Sequence, residues 1–425
     1  MSQAARPTMG ILVSGGPAPG INGVIAAATI EAVKRGWRVI GVLEGYRHLV
    51  DGRLDAVREL DVDAVSRIHL TGGSILGTSR VSPAVDPATR ARATRALVGI
   101  GIDRLVSIGG DGSAYSAHAI HREAAGKVRV VHVPKTIDND IPLPGGQPTF
   151  GFDTARHEGA RALRRLATDA KTSRRWYLAT AMGRSTGHLA LGIAKAAGST
   201  LAVLPEELTA RVPFEFVRDL VLGAMLARLA SGRPHGTIVL AEGVALKLED
   251  AVALPGAVRP SRIPLGRRLE ESIAVELAGL GVDLSLVAVD VGYELRCAEP
   301  VSTDLVAIRD LGFGAVAYLA GGGSGAVLAH GDGRLTPVEL ESMIDPTTRR
   351  VRTRAVDLAS ASYRVAREFM IRLGPADLED PVRLAALATA ARMEPAACAK
   401  RFAPIVDPAS PHMVPLPPAS WPFAP

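Results

Sequence analysis

The chain has only two cysteines in 425 residues, Cys297 and Cys398, and no C-x-x-C pair. That scarcity argues against a disulfide framework and against a cysteine-based metal site, and it predicts a reducing, cytoplasmic setting. Residues 1–8 lack an apolar signal core, and no run of about 18 apolar residues is present to cross a bilayer. A soluble protein without a membrane partner is expected. Blocks of about five or six like charges are also missing. The net charge of +6 and pI near 9.5 come from scattered arginines, without the aromatic and basic interleaving of a nucleic-acid surface, so anionic metabolites are the expected partners. No repeat of solenoid length is visible.

What is present is 47% apolar residues and 44 glycines with only 4% aromatics, the composition of parallel strands covered by helices and joined by tight loops. Short β-type runs at 10–14, 38–43, 104–108 and 129–133 are separated by segments long enough for crossover helices, which predicts α/β architecture. After Gly20, the residues Val24, Ile25, Ala28, Ala32 and Val33 fall on one helical stripe, with Gly36 as the stop. A second series at 176–181, 201–204, 237–241 and 284–291 predicts a second α/β domain. The expected division is 1–150, then 151–400 with one crossing back to the first domain, then a tail. That tail is rich in proline, with eight between Phe402 and Pro425, and is expected to be extended rather than helical.

Three loops carry the chemistry. Ser14-Gly15-Gly16-Pro17-Ala18-Pro19-Gly20 follows a strand and opens a helix, where small residues let backbone N–H groups approach a phosphate. It lacks the Rossmann and Walker spacings, and an ordinary tight turn is the alternative. Gly109-Gly110-Asp111-Gly112-Ser113 follows another strand, where a carboxylate suits Mg²⁺; the alternative is Asp111 as a plain helix N-cap. Lys135-Thr136-Ile137-Asp138-Asn139-Asp140 brings a cation, a hydroxyl and two carboxylates to one strand end, the inventory of phosphoryl transfer, against the alternative of an acidic surface turn.

These loops, with Gly72-Gly73-Ser74…Ser79-Arg80, Met182-Gly183-Arg184, Ala241-Glu242-Gly243, Gly292 to Arg296 and Asp304, resemble in order the motif set of the phosphofructokinase A family. Lipid and NAD kinases share a Gly-Gly-Asp-Gly loop but not this succession. A catalytically silent sugar-phosphate sensor is the alternative from another class; the joint presence of Asp111, Asp138 and Asp140 argues against it. The resemblance implies two doubly wound α/β domains with parallel-rich sheets and an active site in the cleft between them. It also implies a magnesium-dependent glycolytic enzyme that phosphorylates the C1 hydroxyl of fructose 6-phosphate. Asp138 would be the general base, Thr136 would touch the reacting end, and Asp111 and Asp140 would serve Mg²⁺. Arg80 would steady the transferring group, and Gly15, Gly16, Gly110, Asp111, Gly112, Ser113 and Lys135 would face the donor. Met182, Gly183, Arg184, Glu242, Tyr293 and Arg296 would form the sugar-phosphate pocket. Arg175 would reach the 6-phosphate of a neighbouring subunit, implying a homodimer or homotetramer.

The family uses ATP or pyrophosphate. Gly112 leaves room for the rest of ATP where pyrophosphate users typically carry an aspartate, whereas Lys135 is common in pyrophosphate users but also occurs in several ATP-dependent groups. Gly112 decides, because an aspartate there would crowd and repel ATP directly, whereas a flexible lysine can swing aside or pair with a phosphate; ATP comes first and pyrophosphate second. The first loop and 309–314 look closer to the pyrophosphate-using branches. Val287 stands where the allosteric bacterial type has a second arginine, so sedoheptulose 7-phosphate stays open as a substrate.

Overall fold

In the computed structural model, which describes residues 6–250, 260–348 and 350–416, the apolar runs form eleven principal strands. They are Thr8–Val13 (β1), Arg38–Val42 (β2), Val57–Glu59 (β3), Arg104–Gly109 (β4), Arg129–Pro134 (β5), Arg175–Ala181 (β6), Leu201–Val203 (β7), Gly236–Ala241 (β8), Ser285–Val291 (β9), Ala326–Gly331 (β10) and Arg334–Glu339 (β11). The chain separates into two units, one made of the chain up to Ala155 with Tyr293–Arg354, the other of Arg156–Gly292 with the chain from Ala355.

The first unit holds a seven-stranded sheet in the order β11-β10-β5-β4-β1-β2-β3. Its centre is parallel, and the antiparallel strands β3 and β11 form the two edges. Alternate residues of one strand feed opposite faces: Ile11 and Val13 pack with helix Ile21–Lys34, and Leu12 packs with Leu105, Val130 and helix Asp111–Ala124. Both faces are therefore dry, as a parallel sheet requires. Chain order reverses beside β1, with β2 on one side and β4 on the other. In open α/β sheets ligands bind in the crevice at such a switch point.

The second unit holds the parallel sheet β7-β8-β6-β9. The C-terminal residues depart from expectation. Helix Pro395–Val406 runs through Pro404, and Phe402 is fully buried. Pro395 at the first helical turn has no N–H to lose, and the single bond broken by Pro404 is offset by burial of Cys398, Phe402 and Ile405. Beyond the helix, Thr209 N–H donates to His412 O and Val414 N–H to Glu207 O, which lays 412–414 along 207–209. Residues 417–425 of the expected tail lie outside the described residues. Among the described residues no helix is long and apolar enough to cross a membrane, and both cysteines are free.

Candidate active site

In the first unit the loops after β1 and β4 meet at the switch point. Ser14 N–H donates to Ile108 O (2.9 Å) and Gly15 N–H to Ser79 O (2.8 Å), while Ser14 and Ser79 form a parallel bridge. This ties the exposed Arg80, the next residue, to the glycine loop. Gly15 has φ of 91° and Gly20 has φ of 95°, a region open to glycine, and Gly20 caps helix Ile21–Lys34. A Cβ on Gly16 would fall 1.8 Å from Arg296 Nη2, so the guanidinium lies directly on that backbone. The resemblance groups Arg296 with the sugar phosphate; here its charge sits on the phosphate-type loop. The ring of Tyr293 is 70% exposed and lies under the same guanidinium at 5.4 Å.

After β4, Gly110 is the N-cap of helix Asp111–Ala124, and Asp111 occupies its first turn. The capping alternative for Asp111 is thereby replaced: the carboxylate stands at the positive end of the helix without being its cap. Ser113 is buried, with its Oγ 3.4 Å from the place of a Gly15 Cβ. Around Gly112 a Cβ would meet nothing within 4 Å.

The β5 end is the most deeply set. Lys135, Thr136, Asp138, Asn139 and Asp140 are all under 9% exposed, which excludes an acidic surface turn. Lys135 is not the flexible cation that the sequence suggests. It is 4% exposed, its Nζ donates to Gly16 O, and that Nζ lies 3.5 Å from the place of a Gly15 Cβ. The turn is closed locally: Asp138 N–H donates to Thr136 Oγ1 (3.0 Å), Thr149 Oγ1 to Thr136 O (2.8 Å) and Thr149 N–H to Asn139 Oδ1 (3.2 Å). Asn139 takes the left-handed conformation, φ 56°, which asparagine tolerates better than most residues.

Two contributors to this site have no motif. His132 is fully buried on β5; its Nε2 donates to Gly109 O (2.9 Å) and its Nδ1 accepts from Ser107 Oγ (3.3 Å). Burial pushes its pKa down to about 3, so the ring is neutral and fixes the carbonyl that precedes Gly110 and Asp111. Arg354 donates to Asn139 O (3.0 and 3.3 Å) and to Gln147 O (3.4 Å). A buried histidine inside an apolar run was a visible signal for the first. Nothing in the sequence announced the second.

In the second unit, the ends of β6, β8 and β9 converge. Glu242, buried after β8, accepts from Gly183 N–H (3.2 Å) and Arg184 N–H (2.7 Å) after β6. Met182 N–H donates to Val291 O, and its side chain fills the space where Gly292 lacks a Cβ. Met182, Gly183, Arg184 and Glu242 are thus brought together. Arg175 is not among them: it begins β6, a strand length of roughly 20 Å from Met182 at ~3.3 Å per residue.

Asp304, buried, accepts from Gly151 N–H (2.9 Å) and Thr154 N–H (2.8 Å), and burial raises its pKa. Its task is to hold the start of helix Phe152–Ser173.

Comparison with known proteins shows the family and the fold. The sequence matches the family described as Phosphofructokinase over residues 8–319. A pyrophosphate–fructose 6-phosphate 1-phosphotransferase of Thermotoga maritima is 45% identical over 408 residues, covering 93% of this chain and 97% of its own. An ATP-dependent 6-phosphofructokinase of Clostridium perfringens is 30% identical over 335 residues, covering 79% of this chain and 93% of its own. A solved pyrophosphate-dependent phosphofructokinase from Nitrosospira multiformis superposes with a TM-score of 0.67 at 17% identity, covering 92% of this chain and 93% of its own. With its loops in the family's order and most of its length matched, the chain belongs to the phosphofructokinase family, phosphotransferases whose acceptor is an alcohol.

Proposed function

We propose that the protein transfers a phosphoryl group from pyrophosphate to the C1 hydroxyl of fructose 6-phosphate. The observation that carries the donor is Lys135, a buried ammonium fixed on the carbonyl of Gly16. A lysine seated against the donor loop gives that loop a compact donor suited to a small, highly charged anion. This reverses the weighting that put ATP first. The relatives support the same order, since the relative named for pyrophosphate is matched at 45% over nearly the whole chain and the ATP-dependent one at 30% over less of it. Open space around Gly112 favours the second reading, ATP as donor, because a nucleoside would not be crowded there.

In this mechanism Asp138 takes the proton of the attacking hydroxyl, held by a turn whose backbone is already hydrogen-bonded. Lys135, Arg80 and Arg296 offset charge on the donor, and backbone N–H groups of the Gly15-Gly16 loop orient it. The donor set fits magnesium: Asp111 and Asp140, in the loops that follow the adjacent strands β4 and β5, would supply carboxylate oxygens to it. Two carboxylates suit an ion that completes its shell with water and substrate phosphate. When bound, the ion would neutralise the phosphate oxygens. Met182, Gly183, Arg184 and Glu242 would hold the sugar phosphate. The place of Arg175 at the far end of β6 supports its use by another copy, hence a homodimer or homotetramer.

A panel of both donors against fructose 6-phosphate and sedoheptulose 7-phosphate, read by coupled assay, tests the proposal. Pyrophosphate is expected to sustain turnover and ATP to do so poorly. Turnover with ATP alone would overturn the donor assignment.

A further inference from the structure

Beyond residue 319, where the family match ends, the chain forms the strand pair β10–β11 and a short hairpin, Ile344–Asp345 with Arg350–Val351. Met343 and Val351 are buried in the first unit's core, so the hairpin has a fixed seat. Three residues later Arg354 meets the carboxylate turn. Its backbone N–H donates to Asp140 O (2.8 Å), and its guanidinium donates to Asn139 O (3.0 and 3.3 Å) and to Gln147 O (3.4 Å). One side chain therefore clamps the peptide between Asp138 and Asp140 at Asn139, which has φ of 56°, and joins it to the 147–149 strand of backbone that also bonds Thr136 and Asn139.

We propose that Arg354 is a positioning residue for phosphoryl transfer, supplied by the segment C-terminal to the matched family region and acting through the backbone of Asp138-Asn139-Asp140. A left-handed Asn139 held only by its own side chain would let the two carboxylates turn together. The planar fork on its carbonyl oxygen blocks that rotation, and lysine, a single point donor, cannot reproduce it. Small displacements of a reacting group lower the rate of the chemical step much more than they lower binding.

The inference rests on the proposed roles of Asp138 and Asp140, so the wild-type enzyme is assayed alongside Arg354→Ala and Arg354→Lys with fructose 6-phosphate and each donor. In Arg354→Ala, kcat is expected to fall about 10- to 100-fold while both KM values change by less than about threefold. Arg354→Lys should recover only part of it. Guanidinium chloride below denaturing concentration, with sodium chloride as the ionic control, should raise kcat of Arg354→Ala. A purely structural role would instead lower the melting temperature, leave kcat per folded molecule unchanged and show no rescue by guanidinium. If Arg354→Ala does not fold, Arg354→Lys carries the same kcat test. A kcat within twofold of wild type in the folded variants overturns the clamp while leaving the phosphotransfer reading intact. Wild-type protein inert toward both donors removes both.

Discussion

Asp138 combines two properties that a surface carboxylate lacks: it is 8% exposed, and the backbone beneath it is bonded to Thr136 Oγ1. In the proposed role of base, a carboxylate fixed in this way would contribute to the rate through the proton it accepts, not through substrate affinity. Asp138→Asn keeps the shape of the side chain and removes its basicity. Its kcat is expected to drop by about 10²- to 10⁴-fold with fructose 6-phosphate affinity nearly constant. Full activity in that variant, measured in the coupled assay, would mean that another group takes the proton. The same residue shows how far sequence can go. Its identity and its neighbours Thr136 and Asp140 stood in one legible run, whereas its immobilisation depends on Thr149 and Arg354, which no local spacing connects to it.

Strands β4 and β5 illustrate the next scale. Their continuous apolar runs, ending in Gly109 and Pro134, made them legible, because a strand buried on both faces has few other sequences open to it. The pairing between them also places His132 beside Gly109 and Ser107, a contact set by register. Edge strand β3, the pair β10–β11 and helix Pro395–Val406 were not legible. The first two are short or half-exposed, and in the third the proline count masked a helix sustained by burial. The buried His132 makes the β4–β5 pair sensitive to acid. Its pKa falls from 6.5 to about 3 on folding, so between those values the unfolded chain binds a proton that the folded chain does not. Stability must therefore fall as pH drops from about 6.5 toward 3, with this one group contributing a slope of at most about 1.4 kcal/mol per pH unit. In His132→Gln, where the amide N–H can still reach Gly109 O, that component disappears. Urea unfolding of both proteins across this range measures it, and parallel curves would contradict a neutral buried histidine.

Across the whole molecule, each unit is completed by a stretch of chain distant in sequence: Tyr293–Arg354 finishes the first, and the chain from Ala355 finishes the second. In the second, the return is secured by a buried ionic centre. Glu207, 2% exposed, accepts from Arg372 Nη2 (2.7 and 2.9 Å), from the hydroxyl of the buried Tyr363 (2.5 Å) and from Leu204 N–H (2.9 Å). Arg372 Nη2 also donates to Ala202 O on β7, so the C-terminal residues are bonded directly to the sheet. Arg367 Nη1 lies 3.7 Å from the same carboxylate, so removing Arg372 leaves it with one more distant cation, a loss of up to about 3–5 kcal/mol, whereas removing both charges together costs much less. Arg372→Met should shift the urea transition followed through the buried Trp176 by an amount in that range, and adding Glu207→Gln should recover a substantial part. Trp176 belongs to the second unit, and with Trp37 and Trp421 replaced by phenylalanine its emission reports that unit. Equal destabilisation in the single and double variants would show that Arg372 acts through packing of its stem and not through Glu207.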